Sequence, residues 1–287
     1  MNVIVGIALL FVCVFGGFVL AGGNLAPILY ALPFEMLMIG GAATANFVIS
    51  NSFSDCKHAV GGLGAALRGT RYRNADYLDL FALLYRLLRV SQTQGAVGLE
   101  AHIERPAESS IFTEYPRLAA DKGAVTLICD YLRMVGMNAN DPFVVDEMMA
   151  QELRKIREER LHPAHVFATL ADALPALGIV AAVLGVIKTM GAINESPAVL
   201  GAMLGSALVG TFLGVLLSYG LVGPIAARMR GVVEEECKFY DVIRAVITAH
   251  LQGLAPQVAI EAGRKVAPTA LMPSFEAVEG ALFPGRN

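Results

Sequence analysis

Four stretches of the chain are free, or nearly free, of Asp, Glu, Lys and Arg: about residues 1–34, 36–54, 173–187 and 196–227. Only a closed backbone survives in hydrocarbon, and a helix that crosses a bilayer needs about 20 apolar residues. We therefore expect four membrane-spanning helices, at residues 3–20, 34–50, 170–190 and 199–223. The mean hydropathy of +0.58, with 55% hydrophobic and 16% charged residues, is too apolar for an ordinary soluble domain and agrees with that reading. The first span has no basic leader, and "LAGGN" is a weak cleavage site, so it reads as a retained helix rather than a signal peptide. The fold class expected is all-α: a polytopic membrane protein with four transmembrane helices, the third and fourth extended into a cytoplasmic helical domain.

The basic residues set the orientation. Of 22 Lys and Arg, 14 lie in 52–169, 7 in 224–287, and Lys188 alone lies near the other side. The positive-inside rule places the long loop and the tail in the cytoplasm, and an even number of spans places both termini there. The expected division is 1–51 for the first two spans, 52–169 for a cytoplasmic helical domain, 170–223 for the last two spans, and 224–287 for a C-terminal helix with a weakly structured tail. Short outer loops fall at about 22–33 and 191–198.

Within the cytoplasmic part, Leu80, Leu84 and Leu87, with Tyr77, Phe81 and Leu88 beside them, predict an amphipathic helix over 75–92 whose other face carries Arg86 and Arg89. A second helical stretch begins near Leu99 and ends by Pro106. Asp141 followed by Pro142 is an N-cap with proline at the first helical position. The helix they open runs toward the third span, with a bend expected at Pro163. The tail continues helically after Pro224, and Pro268, Pro273 and Pro284 mark its last 30 or so residues as weakly structured. The basic "RGTRYR" at 68–73 reads as a membrane-surface anchor.

Chemical motifs are scarce. Cys13, Cys56, Cys129 and Cys237 lack paired spacing. His162 and His165, three apart, read as a solvated pair or as two ligands of an incomplete metal site. "GGLGAAL" at 61–67 lacks the lysine and strand context of a phosphate cradle. No enzyme activity, cofactor or metal is expected, and a net charge of −3 gives no sign of nucleic-acid binding. Glu35, Asp172 and Lys188 sit near span ends, so the span interiors are expected to hold hydroxyls and amides alone: Asn46, Thr189, Ser206, Thr211 and Ser218. Ion paths through membranes usually require ionisable residues; a proton path here takes its carboxylate from a partner. Ser206, Gly210, Gly214 and Ser218 recur every four residues in the fourth span, and Gly178 with Ala182, and Ala181 with Gly185, do so in the third. Such stripes admit close approach, either of a partner helix or of the chain's own neighbours.

The segments "LAGGNL", "YLDLFALLYRLLR", "GLEAHIERPAESSIFTEYP", "DALPALGIVAAVLGVI" and "GSALVGTFLGVLLSYGLVGP", in that order, resemble the MotA family of flagellar motor stator subunits over about residues 1–275. The resemblance implies a ring of five subunits in the bacterial inner membrane around the helices of MotB, whose aspartate carries the ion, with the cytoplasmic domain pushing on the rotor protein FliG. It assigns Pro175 and Pro224 to conformational change and Thr211 to the ion path. At Ala182 the sodium-driven branch carries a threonine, so alanine implies protons. Thr189 and Asp172, toward the two ends of the third span, join these as candidates. Glu100 matches the acidic rotor contact. The basic contact eight residues earlier is Gln92 here, and Arg89, three residues before it and on nearly the same face, takes over, with Arg86 beside it among the rotor candidates. The alternative is an ExbB/TolQ-like proton-channel subunit energising an outer-membrane process, a group that usually has three spans.

Overall fold

The computed structural model describes residues 2–137 and 141–283. Helix α1 (Asn2–Phe11) continues through a wide π-helical turn, Val12–Gly16, into Gly17–Leu20. It is followed by α2 (Ala26–Ser50), α3 (Phe53–Arg68), α4 (Asn74–Ile103), α5 (Lys122–Gly136), α6 (Pro142–Gly191), α7 (Pro197–Val215), α8 (Gly223–Leu251), α9 (Pro256–Val266) and α10 (Phe275–Leu282). A second π-helical turn, Leu216–Val222, joins α7 to α8. No strand occurs among the described residues. Four helical stretches are long and apolar enough to cross a membrane: Val3–Leu20, Ala26–Ser50, and parts of Pro142–Gly191 and Pro197–Leu251.

Local chemistry sets the helix starts. Asp141 Oδ1 accepts from the Phe143 and Val144 amides at 2.9 and 3.4 Å, with Pro142 at the first helical position, so the orphan donors of α6 are met as its sequence predicts. Ser196 caps α7 in the same way, its hydroxyl accepting from the Val199 amide at 3.4 Å. Neither Pro163 nor Pro175 ends α6. The second span begins at Ala26 rather than near residue 34, because Pro33 is accommodated inside the helix. Most of the expected outer loop 22–33 is therefore helical.

The chain divides into two units, residues 1–69 with 160–232 and residues 70–159 with 233–287. The divisions fall away from the expected boundaries at 51, 169 and 223. Within the first unit, Ala31, Ile39 and Ala43 of α2 bury against Leu174, Ala181, Val209 and Leu213 of α6 and α7. Most large apolar side chains outside this seam, such as Leu29, Leu37, Ile49, Ile187 and Leu208, stay exposed, as lipid-facing residues do.

The second unit has a conventional core. Tyr77, Leu80, Phe81, Leu83, Leu84, Leu87 and Leu88 of α4 are fully enclosed. The helix expected to be amphipathic is thus covered nearly all round, because α5, α9 and α10 all pack on it. This corrects the expectation of a weakly structured tail. Ala259, Ile260 and Val278 are buried. Arg264 ties α9 to the following loop, donating to both Glu261 carboxylate oxygens at 2.7 Å and to the Pro273 carbonyl at 3.1 Å. Pro284 lies outside the described residues.

"RGTRYR" is also corrected. Tyr72 is buried, stacked on Phe239 at 3.8 Å between ring centroids and hydrogen-bonded to Asp121. Arg71 pairs with Asp121 at 3.6 Å and Glu236 at 3.4 Å. Of this motif Tyr72 belongs to the core and Arg71 is held by carboxylates of its own unit, so these two are not part of a membrane anchor.

Candidate functional site

Pro175, one of the two prolines assigned to conformational change, follows Leu174 where α6 crosses α7. Proline at 175 has no amide hydrogen, so the carbonyl of Ala171, four residues earlier, loses its helical donor. Ser218, 1% exposed and inside the π-helical turn, supplies one: its hydroxyl donates to the Ala171 carbonyl at 2.6 Å. The π-helical turn also frees regular pairing on its own side, the Gly223 amide reaching back five residues to the Ser218 carbonyl. Pro224 follows at once, exposed, at the second position of α8. Two weakened helix segments are therefore joined by one side-chain hydrogen bond. The sequence showed Ser218 only as part of a stripe; the signal was the carbonyl four residues before Pro175, which had to find a donor.

Glycines make the crossing possible. A Cβ at Gly178 would lie 2.7 Å from the Gly210 carbonyl oxygen and 3.0 Å from Gly214 Cα. One at Gly214 would lie 2.7 Å from the Leu174 carbonyl oxygen, and one at Gly185 2.6 Å from Ala207 Cβ. Of the two readings left open for the stripes, packing against the chain's own neighbours is what Gly178, Gly185, Gly210 and Gly214 do. Gly201 and Gly205 have nothing within 4 Å of where a Cβ would be.

Ala182 and Thr211 lie at one level. An atom at the Gly210 Cβ position would be 3.1 Å from the Ala182 amide nitrogen, and Thr211 is the next residue; both side chains are half-buried. Thr189, buried, donates its hydroxyl back to the Gly185 carbonyl at 2.9 Å, and Asp172 is exposed beside the Ala171 carbonyl that Ser218 holds.

The expectation that the span interiors hold no ionisable group is overturned. Because α2 begins at Ala26, Glu35 is its tenth residue rather than near its start, and it is 5% exposed against Gly210.

The rotor candidates lie in the second unit on α4. Arg86 is half-buried, paired with Glu114, with its guanidinium 5.9 Å from the Tyr115 ring centroid. Arg89, Gln92 and Glu100 are exposed. Gly95 breaks the helix between them with φ 68° and ψ −161°, a conformation open to glycine and strained for other residues. Helical spacing therefore does not relate Glu100 to Arg89 and Gln92. His162 approaches Asp55 at 3.5 Å and His165 approaches Arg230 at 3.5 Å, so each histidine faces its own charged neighbour.

Residues 4–95 match the family model described as "Motility protein A N-terminal", and residues 120–241 match that of the MotA/TolQ/ExbB proton channel family. Motility protein A of Escherichia coli strain K12 is 38% identical over 279 residues, covering 97% of this chain and 94% of that protein. The chain belongs to the motility protein A family. The C. jejuni MotAB structure matches 96% of this chain and 99% of its own, with a TM-score of 0.74 at 18% identity. The flagellar MotAB stator complex of Bacillus subtilis matches 90% and 92%, with a TM-score of 0.70 at 22% identity. These likenesses give the family fold, and the match to the N-terminal model separates the chain from the ExbB/TolQ-like alternative.

Proposed function

We propose that the chain is the ring-forming subunit of a proton-driven flagellar stator, which surrounds the transmembrane helices of a MotB partner and turns ion flow into torque on FliG. One observation carries the reading. At the level of Ala182 and Thr211 the only carboxyl among the described residues, Glu35, is turned into the contact between α2 and α7. The carboxylate that carries the ion then comes from the partner.

An ionised carboxylate in the bilayer costs about 3 kcal/mol or far more, depending on the scale. Protonation removes that cost, so a partner aspartate interacts differently with the subunits in its two charge states, and only such a difference shifts a conformational equilibrium. Each elementary charge falling through 100 mV supplies roughly 2.3 kcal/mol. The joint that takes up the shift is Pro175 with its Ser218-held carbonyl, and Pro224 beyond the π-helical turn. Ala182 offers no side-chain oxygen to strip and hold sodium, which favours protons. Both termini in the cytoplasm agree with the distribution of basic residues, and five copies in the inner membrane are what the family resemblance implies. Arg86 is engaged with Glu114, so the rotor contact rests on Arg89 and Glu100, with Gln92 between them.

Affinity purification of the chain from its own cells tests this. Recovery of a MotB-like protein with a peptidoglycan-binding domain is expected. Recovery of a TonB-system partner instead would support the ExbB/TolQ-like alternative.

A further inference from the structure

The buried carboxyl of Glu35 has no part in that mechanism. It lies ten residues into α2, 5% exposed, and its Oε2 has no hydrogen-bond partner. That oxygen occupies the notch left by the missing side chain of Gly210: a Cβ there would stand 2.7 Å from it, with Ala181 Cβ and the Ala182 amide nitrogen each 3.1 Å away. Among the described residues no cation faces the notch. Helix α7 carries no ionisable residue, and the first span carries only Cys13, in its π-helical turn. On α6 the nearest charges in sequence are exposed: Lys188 stands six residues past Ala182, about 9 Å along the axis, and Asp172 ten residues before it, about 15 Å. Helix α3, which meets α2, places Asp55, Lys57, His58 and Arg68 at least twenty residues beyond Glu35.

We propose that Glu35 is a proton-binding site belonging to this chain, a neutral carboxylic acid while α2 is seated on α7, which releases its proton only when the notch at Gly210 opens to water. An unpaired carboxylate has no compensation in such a place, whereas a neutral acid loses little there. Movement of α7 against α2 then changes the protonation of Glu35, and the subunit stores a proton outside the path served by the partner's aspartate. The seat is specific: glycine at 210 leaves room for the carboxyl, and any larger residue meets it.

Infrared spectroscopy of the purified complex in lipid at neutral pH tests this directly. The wild-type minus Glu35→Gln difference spectrum is expected to show the C=O stretch of a protonated carboxyl, lost in the variant, while Glu35→Gln, of nearly the same shape, still assembles. A difference spectrum with only ionised carboxylate bands would overturn the proposal. In assembled Gly210→Ala complex the added methyl displaces the carboxyl, and the protonated band is expected to diminish; an unchanged band contradicts the link to the notch. The bands are read without motility, so a failure of the stator reading would appear as the wrong partner or no torque with the Glu35 signal intact.

Discussion

Ser218 and Pro175 are one device, and each explains the other. Without the proline the Ala171 carbonyl would have its own helical donor; without the serine it would be buried and unpaired. An unsatisfied buried acceptor costs about 1–3 kcal/mol. Ser218→Ala is therefore expected to lower the melting temperature of the purified complex, and Pro175→Ala, which restores the helical amide, to remove most of that loss in the double variant. The cycle measures the coupling directly. Additive effects would mean that the hydrogen bond does not serve the proline. Pro175→Ala should also reduce torque while leaving insertion intact, read as swimming speed against the amount of subunit in the membrane. Proline inside an apolar run was legible in the sequence. Its partner was not, since residues 171 and 218 are brought together only by the glycine crossing of α6 and α7. Glu35 was misjudged for a local reason: the expected span began just past Pro33, whereas the helix absorbs that proline and carries Glu35 to its interior.

At the scale of elements, periodicity and capping chemistry gave the apolar helices and the start of α6 at Asp141 and Pro142. They gave α4 only in part. Its exposed half was inferred from a 3.6-residue pattern that ignored α9 and α10, which cover it, because three prolines near the C-terminus suggested a loose tail. Short helices between prolines are weak alone, and here packing on α4 and the Arg264 contacts stabilise them. The kink at Gly95 bears on the proposed rotor contact. It sets Glu100 on a helix segment whose direction is independent of Arg89. Charge reversal Arg89→Glu is expected to weaken rotor coupling and to be partly rescued by a compensating reversal on FliG, scored by swarm diameter and by motor speed under load. Single exposed charges contribute little, so the single variant should slow rather than abolish rotation. Failure of every compensating pair would return Arg89 to an ordinary solvated face.

Across the whole molecule, acid acts on the second unit through two groups that push the same way. The Arg244 guanidinium, donating at 2.7 and 2.8 Å, and the Thr248 hydroxyl hold the Asp146 carboxyl below the usual carboxylate range. Its contribution is full above about pH 4, the unfolded value, and is lost as pH falls through the lower folded one. Burial holds the His250 imidazole below its ordinary value, with Nδ1 unpartnered, so the folded state keeps the ring neutral. That contribution is full above about pH 6.5 and is lost as pH falls toward the folded value. The melting temperature of the purified complex is expected to fall from pH 7 to 6 through His250 and again below pH 4 through Asp146, with Arg244→Ala weakening the second fall. A melting temperature that rises over either interval would contradict these assignments.

The central claim is that this family member couples proton flow, through a carboxylate supplied by its partner, to rotation. Swimming speed of a strain lacking its own stators, carrying this chain with its MotB partner, measured against sodium concentration at fixed pH, tests that claim most directly. The account predicts a speed independent of sodium that collapses when a protonophore dissipates the proton gradient. A speed that climbs with sodium and survives the protonophore would contradict it.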